Sequence, residues 1–168
     1  MKVETRTITI VGTLSAISIV LGQTPLGLVP TPLGVAATTM HIPVIIGAIV
    51  EGPLVGSLVG LIFGLSSFLR QASPFVADPL VAIIPRVLIG ILAGYSYKLF
   101  STKESIAIGI AAAIGTLTNT IGVLGLAAWR GLLPMAQAKV IALGHGLPEI
   151  IVAILITLLV VKSLKHVK

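Results

Sequence analysis

A chain of 168 residues that is 56% hydrophobic, 10% charged and has a mean hydropathy of +1.15 carries too little polar surface to cover a water-soluble globule. Its apolar runs read instead as membrane spans of roughly 20 residues each, and about six of them fit into a single integral-membrane domain over residues 1–168. The absence of cysteine excludes disulfides, thiolate metal sites and thiol catalysis, and the net charge of +6 does not point to nucleic acid, because the basic residues sit at helix ends and aromatics make up only 4%.

Met1 to Arg6 is a short polar start, and Thr7 to Leu21 is apolar. No small-x-small cleavage site follows, so this stretch is expected to be a retained first span. Gly12 and Ala16 stand one turn apart on it, a small-xxx-small pair that allows close helix contact. Gln23 to Thr39 holds Pro25, Pro30, Pro32, Gly27 and Gly34 and no charge. Prolines at that density predict a long ordered loop. It is nonetheless apolar, and lipid does not satisfy its backbone, so it is expected to fold back onto the protein, as a lid or as an inert packed loop.

The organising stretch is Thr38 to Arg70, two apolar helices separated by Glu51-Gly52-Pro53. Gly52 suits the residue just past a helix, and Pro53 suits a first helical position, where its missing N–H costs nothing. Even counted from Val35, the earlier helix covers only about 24 Å at about 1.5 Å per residue, short of a bilayer core of roughly 30 Å. The later one carries Gly56, Gly60 and Gly64 at every fourth position, a smooth stripe where another backbone comes close.

Arg70 to Pro79 is a polar loop in which Asp78 and Arg70 are expected to pair. Leu80 to Phe100 is the fourth span, read as interrupted near Ile84-Pro85-Arg86, with Gly90 and Gly94 repeating the four-residue spacing. Ser105 to Trp129 is the fifth, with a polar cluster at Thr116, Thr118, Asn119 and Thr120. The sixth runs from about Ala136 to Val161 and is read as broken by Gly144-His145-Gly146-Leu147-Pro148-Glu149. Lys2, Arg6, Lys98, Lys103, Lys162, Lys165 and Lys168 then fall on one side, which by the positive-inside rule makes both termini cytoplasmic.

Ionisable groups inside a membrane bundle are costly and default to functional hypotheses. In this orientation Arg86, Asn119, His145 and Glu149 lie in the outer halves of their spans, and His41 opens the second span beneath the proline-rich loop. They converge on an outward-facing cup: a ligand site, or an internal pairing such as Arg86 with Glu149. His41 reads more as an interfacial cap than as a ligand contact, Glu51 as a solvated turn residue and Lys139 as a snorkelling cation. There is no G-x-x-x-x-G-K-[ST] phosphate loop, no H-E-x-x-H and no G-x-S-x-G, so ATP-driven transport by this chain alone and enzymatic activity are not expected, nor is a metal or other cofactor.

The MHIPVIIGAIVEGPLVGSLVGLIFGLSSF block at Met40 to Phe68, PRVLIG at Pro85 to Gly90 and the long loop after the first of six spans resemble the substrate-binding S-components of energy-coupling factor (ECF) vitamin transporters, most nearly the pantothenate-type members. The resemblance implies an all-α protein of the prokaryotic cell membrane, surrounded by lipid, that captures a vitamin from outside. Its partners would be a transmembrane coupling protein and two ATP-hydrolysing subunits, which explains the missing phosphate loop. Members dock through an A-x-x-x-A motif on the first span; the matching positions here are Gly12 and Ala16, with glycine for the first alanine. Pantothenate carries a carboxylate, an amide and two hydroxyls, which suits Arg86 as a fork for the carboxylate and Asn119 and His145 for the rest, with Glu149 and His41 completing the candidate site. Scarce aromatics argue against a large flat ring. Alternatives are an S-component for another vitamin (a hydroxymethylpyrimidine, pyridoxine, folate or riboflavin), a stand-alone facilitator or channel, and an assembly subunit without a ligand.

Overall fold

Close backbone contact between glycine-striped helices is the main packing device of the bundle. In the computed structural model, which describes residues 5–30, 36–71 and 73–166, the α-helices are α1 (Thr5–Gln23), α2 (Ile42–Val50), α3 (Pro53–Arg70), α4 (Pro79–Leu99), α5 (Glu104–Trp129) and α6 (Met135–His166). A short 3-10 turn at Pro25–Gly27 leads into an antiparallel pair of strands, β1 (Leu28–Pro30) and β2 (Ala36–Thr38), with Leu28 opposite Thr38. The proline-rich connection is thus a small hairpin rather than an irregular loop; Pro32, Gly34 and Val35 lie outside the described residues.

All the helices but α2 are long and apolar enough to cross a membrane. The nine residues of α2 amount to about 14 Å, and all except Val50 are buried. The break between α2 and α3 follows the chemistry of its residues. Gly52 takes φ of +102°, a conformation that L side chains rarely adopt, and Pro53 opens α3.

The stripe on α3 faces α2 and α4. A Cβ built on Gly56 would stand 2.5 Å from the Cβ of Ala48. On Gly60 it would stand 2.1 Å from the backbone oxygen of Arg86, and on Gly64 2.9 Å from that of Ala82. The matching glycines of α4 do the same in return: Gly90 lies against the Gly56–Ser57 peptide and Gly94 against Pro53. On the opposite faces large aliphatics recur about every turn and are exposed, as Leu54, Leu58, Leu61, Leu65 and Leu69 on α3 and Leu143, Leu147, Ile151, Leu155 and Leu159 on α6. Small residues inside and leucines outside is the arrangement expected where the surrounding solvent is lipid.

Three expectations need correction. Pro85 and Pro148 do not interrupt their helices: α4 and α6 run through them. Proline is tolerated at such depth when a neighbouring group takes the carbonyl it frees, and at Pro85 the side chain of Arg86 does so, its Nη1 donating to the Val81 oxygen at 2.6 Å. Asp78 pairs not with Arg70 but with Arg130 at 2.9 Å, while also accepting from the Leu80 N–H as the cap of α4. The Arg130 hydrogen bond, with the backbone donor, holds the Asp78 carboxyl below its usual range. Arg70 instead donates to the Gly22 and Ser66 carbonyls, joining the ends of α1 and α3. Glu51 is not merely solvated, because Arg6 pairs with it and brings the end of α2 beside the start of α1.

Substituting Gly60→Ala should therefore lower stability by about 1–3 kcal/mol, since neither backbone can yield without moving a helix. Gly12→Ala, with nothing within 4 Å of the added methyl, should be neutral or slightly stabilising. Melting temperatures of the two variants in the same detergent test this, and equal melting would refute the close approach.

Candidate functional site

At the end of the bundle that carries the hairpin lies a cavity of about 220 Å³. Its wall is assembled from Thr38, Met40 and His41 ahead of α2, Phe63 of α3, Phe75 and Val76 of the α3–α4 loop, and Arg86 of α4. Asn119, Thr120, Val123 and Leu124 of α5 and Ile141, His145 and Glu149 of α6 complete it. The volume is below the roughly 300–1,000 Å³ of drug-sized pockets, which favours a small, flexible ligand over a fused-ring one. Larger grooves of about 340 Å³ and 290 Å³ flank α1. The second is lined almost wholly by aliphatic side chains; the first also takes in Thr9, Thr13 and the charged pair Arg6 and Glu51, which is bonded to itself.

Arg86 is the principal charge in the cavity wall and is only 7% exposed. Gly60 lies against its backbone oxygen, and Phe63, on the next turn of α3, lies beneath its guanidinium at 5.6 Å from the ring centre. With Nη1 committed to Val81, the Nε–H has no partner among the described residues. Arg86 and Glu149 do not pair; each is bonded elsewhere.

Glu149 is 4% exposed and accepts three hydrogen bonds. Its Oε1 takes the backbone N–H of Thr38 at 3.1 Å and the Thr38 hydroxyl at 2.6 Å; its Oε2 takes the Thr120 hydroxyl at 3.0 Å. One buried carboxylate thereby fastens β2 of the hairpin to α5 and α6 at the rim of the cavity.

His41 occupies the position before α2, but its ring makes no capping bond. It is 1% exposed, with Nε2 at 3.0 Å from the Thr116 hydroxyl and Nδ1 without a partner among the described residues. It is a wall residue, not an interfacial cap. The Oδ1 of half-buried Asn119 is likewise without a partner among the described residues. His145 turns Nδ1 to the Ile141 carbonyl at 3.2 Å, and since a carbonyl only accepts, Nδ1 is the donor of this bond.

All five ligand-site candidates from the sequence, Arg86, Asn119, His145, Glu149 and His41, line this one cavity. Lys139 is exposed and outside it, and so are Gly12 and Ala16 on the outer face of α1. Thr38 and Phe63 were not singled out, and Thr120 was read only as part of the polar cluster on α5. Thr120 had a signal in its four-residue spacing from Thr116, whereas Thr38 lies in a connection whose course the sequence pattern does not define.

The chain belongs to the substrate-specific components of ECF transporters, a family matched by residues 6–161. It is 31% identical, over 161 residues covering 79% of this chain and 80% of the relative, to the pantothenic acid transporter PanT of Lactococcus lactis subsp. cremoris (strain MG1363). It is accordingly a multi-pass membrane protein of a prokaryote and the substrate-binding part of a transporter rather than an enzyme.

Removing the Glu149 carboxylate leaves the Thr38 N–H and two hydroxyls without an acceptor. Glu149→Ala should lower stability by about 1–3 kcal/mol and speed amide exchange at Thr38, while Thr38→Val, which keeps the amide bond, should cost less. Hydrogen exchange and thermal melting on both variants check the fastening, which is refuted if Thr38 exchanges at the wild-type rate in Glu149→Ala.

Proposed function

We propose that this chain captures pantothenate from outside the cell and delivers it to an ECF module, a transmembrane coupling protein served by two ATP-hydrolysing subunits. The observation that carries the reading is the buried, partly unpartnered guanidinium of Arg86 in the wall of a small, mainly apolar cavity, in a chain similar to a pantothenic acid transporter. Arg86 holds the carboxylate. Asn119 and His145 bond the amide and hydroxyls, and His41 and Glu149 complete the polar wall.

Residues 1–168 act as one membrane domain with both termini cytoplasmic and the cavity facing outward. Charge supports this orientation: Lys98, Lys103 and Lys162 lie at the end opposite the cavity, as does Arg6. The Arg6–Glu51 pair also supports a sixth crossing by the hairpin and α2 together, because it returns the chain to the level where α1 began.

Docking uses the outer face of α1. Gly12 has no atom within 4 Å of an added methyl, and Ala16 one turn later is exposed, so a partner helix has backbone-level access there. Gly12→Leu and Ala16→Leu should abolish ATP-coupled uptake in membranes that contain the partners, yet leave affinity for the vitamin nearly intact. Unchanged uptake removes this face from the docking surface.

Titration calorimetry of the purified chain against a panel of vitamins tests the function itself, with pantothenate expected to bind and no response to it overturning the assignment. Arg86→Ala should weaken binding roughly ten- to a hundredfold, the equivalent of a hydrogen bond to a charged group at about 1.5–3 kcal/mol. Arg86→Lys should recover part of this, having no planar fork. Asn119→Ala and His145→Ala should each cost about 1 kcal/mol. Normal binding by Arg86→Ala excludes the anion anchor.

A further inference from the structure

Arg86 does not reach the cavity as a free side chain; it is tied by the helix that bears it. In an uninterrupted helix the N–H of residue 85 bonds the oxygen of residue 81. Proline has no N–H, so that oxygen is left open, and Val81 is fully buried, which denies it water. The donor that reaches it is Arg86 Nη1, at 2.6 Å. The guanidinium is also laid over Phe63, with Nε unpartnered among the described residues.

We propose that Pro85 is a positioning residue for carboxylate recognition: by freeing the Val81 oxygen it clamps Nη1 of Arg86 and holds the remaining edge of the guanidinium ready for the ligand. This rests on the reading of Arg86 as the carboxylate anchor. An arginine side chain otherwise gives up much rotamer freedom on binding. Here one nitrogen is already immobilised by the helix itself, and the freedom lost on ligand capture is smaller. Restoring an N–H at position 85 gives the Val81 oxygen a competing donor of its own.

Alanine is the suitable replacement, because Gly122 lies against the Cβ that Pro85 and alanine share. Helix propensity favours alanine over proline, so a merely structural role and a positioning role have opposite signatures. The experiment compares wild type, Pro85→Ala, Arg86→Ala and the double variant by calorimetry and apo melting temperature. The probes are pantothenate and its alcohol counterpart, in which a CH2OH group replaces the carboxylate.

Expected is that Pro85→Ala weakens pantothenate binding about tenfold, one interaction's worth, while changing alcohol binding less than about twofold and leaving the apo melting temperature equal or higher. In the Arg86→Ala background, Pro85→Ala should have no further effect, because the two act through one interaction. A wild-type ratio of pantothenate to alcohol affinity in Pro85→Ala overturns the proposal. So does an equal loss for both ligands, or a loss that persists without Arg86. If Arg86→Ala itself leaves that ratio unchanged, the anchor reading falls and the positioning role with it, an outcome distinct from failure of Pro85→Ala alone. Should Pro85→Ala not fold, Pro85→Ser restores the same N–H and is read in the same way.

Discussion

The contact on which most of the structure depends is that of Gly60 with the backbone oxygen of Arg86. In a lipid environment apolar helices gain little by hiding apolar surface, so association rests on close packing and on bonds between polar groups. Gly56, Gly60 and Gly64 on α3, answered by Gly90 and Gly94 on α4, bring the two backbones to a distance that any side chain on the stripe would forbid. The same crossing sets the height and rotation of Arg86 and lays Phe63 beneath its guanidinium. Packing and the cavity thus meet in one residue: Arg86 carries both the oxygen on which Gly60 packs and the charge in the cavity wall.

The polar groups of the cavity are stabilised without a direct ion pair between its two buried charges. Glu149 is satisfied by three donors from a hairpin and a neighbouring helix, and Arg86 by a carbonyl and an aromatic face. Separate satisfaction has an electrostatic consequence. A salt bridge between them would neutralise the guanidinium, whereas a carboxylate occupied by threonines leaves the arginine edge open. The hairpin is therefore part of the electrostatics of the site, since Thr38 supplies two of the three bonds that keep Glu149 occupied.

Two ends and two faces divide the remaining work. One end carries the hairpin, the Asp78–Arg130 pair, the Arg70 bonds to Gly22 and Ser66, and the cavity; the other carries the Arg6–Glu51 pair and the lysines of the α4–α5 turn and of the end of α6. On the flanks, leucine-rich faces of α3, α4 and α6 meet lipid, while α1 presents small residues and leaves apolar grooves beside it. The cavity and the smooth face of α1 thus lie on separate surfaces.

Composition and spacing alone determined that this is a polytopic helical membrane protein, that α2 is too short to span, that Gly52-Pro53 is a helix boundary and that the glycine stripes are contact faces. These are local properties: hydropathy, a fixed φ and a period of four residues act within one segment. Arg86, Asn119, His145 and Glu149 stood out as well, because a charged, imidazole or amide group in an apolar run has few inexpensive explanations, whereas His41 read as an interfacial cap. Tertiary structure alone decided which of them bond one another. From sequence, Glu149 had Arg86 as its natural partner and Asp78 had Arg70; in the fold they bond Thr38 with Thr120, and Arg130. The continuity of α4 was illegible for the same reason. Whether a proline breaks a helix depends on whether another group reaches the carbonyl it frees, and at Val81 that group is a side chain placed there by the crossing of two helices.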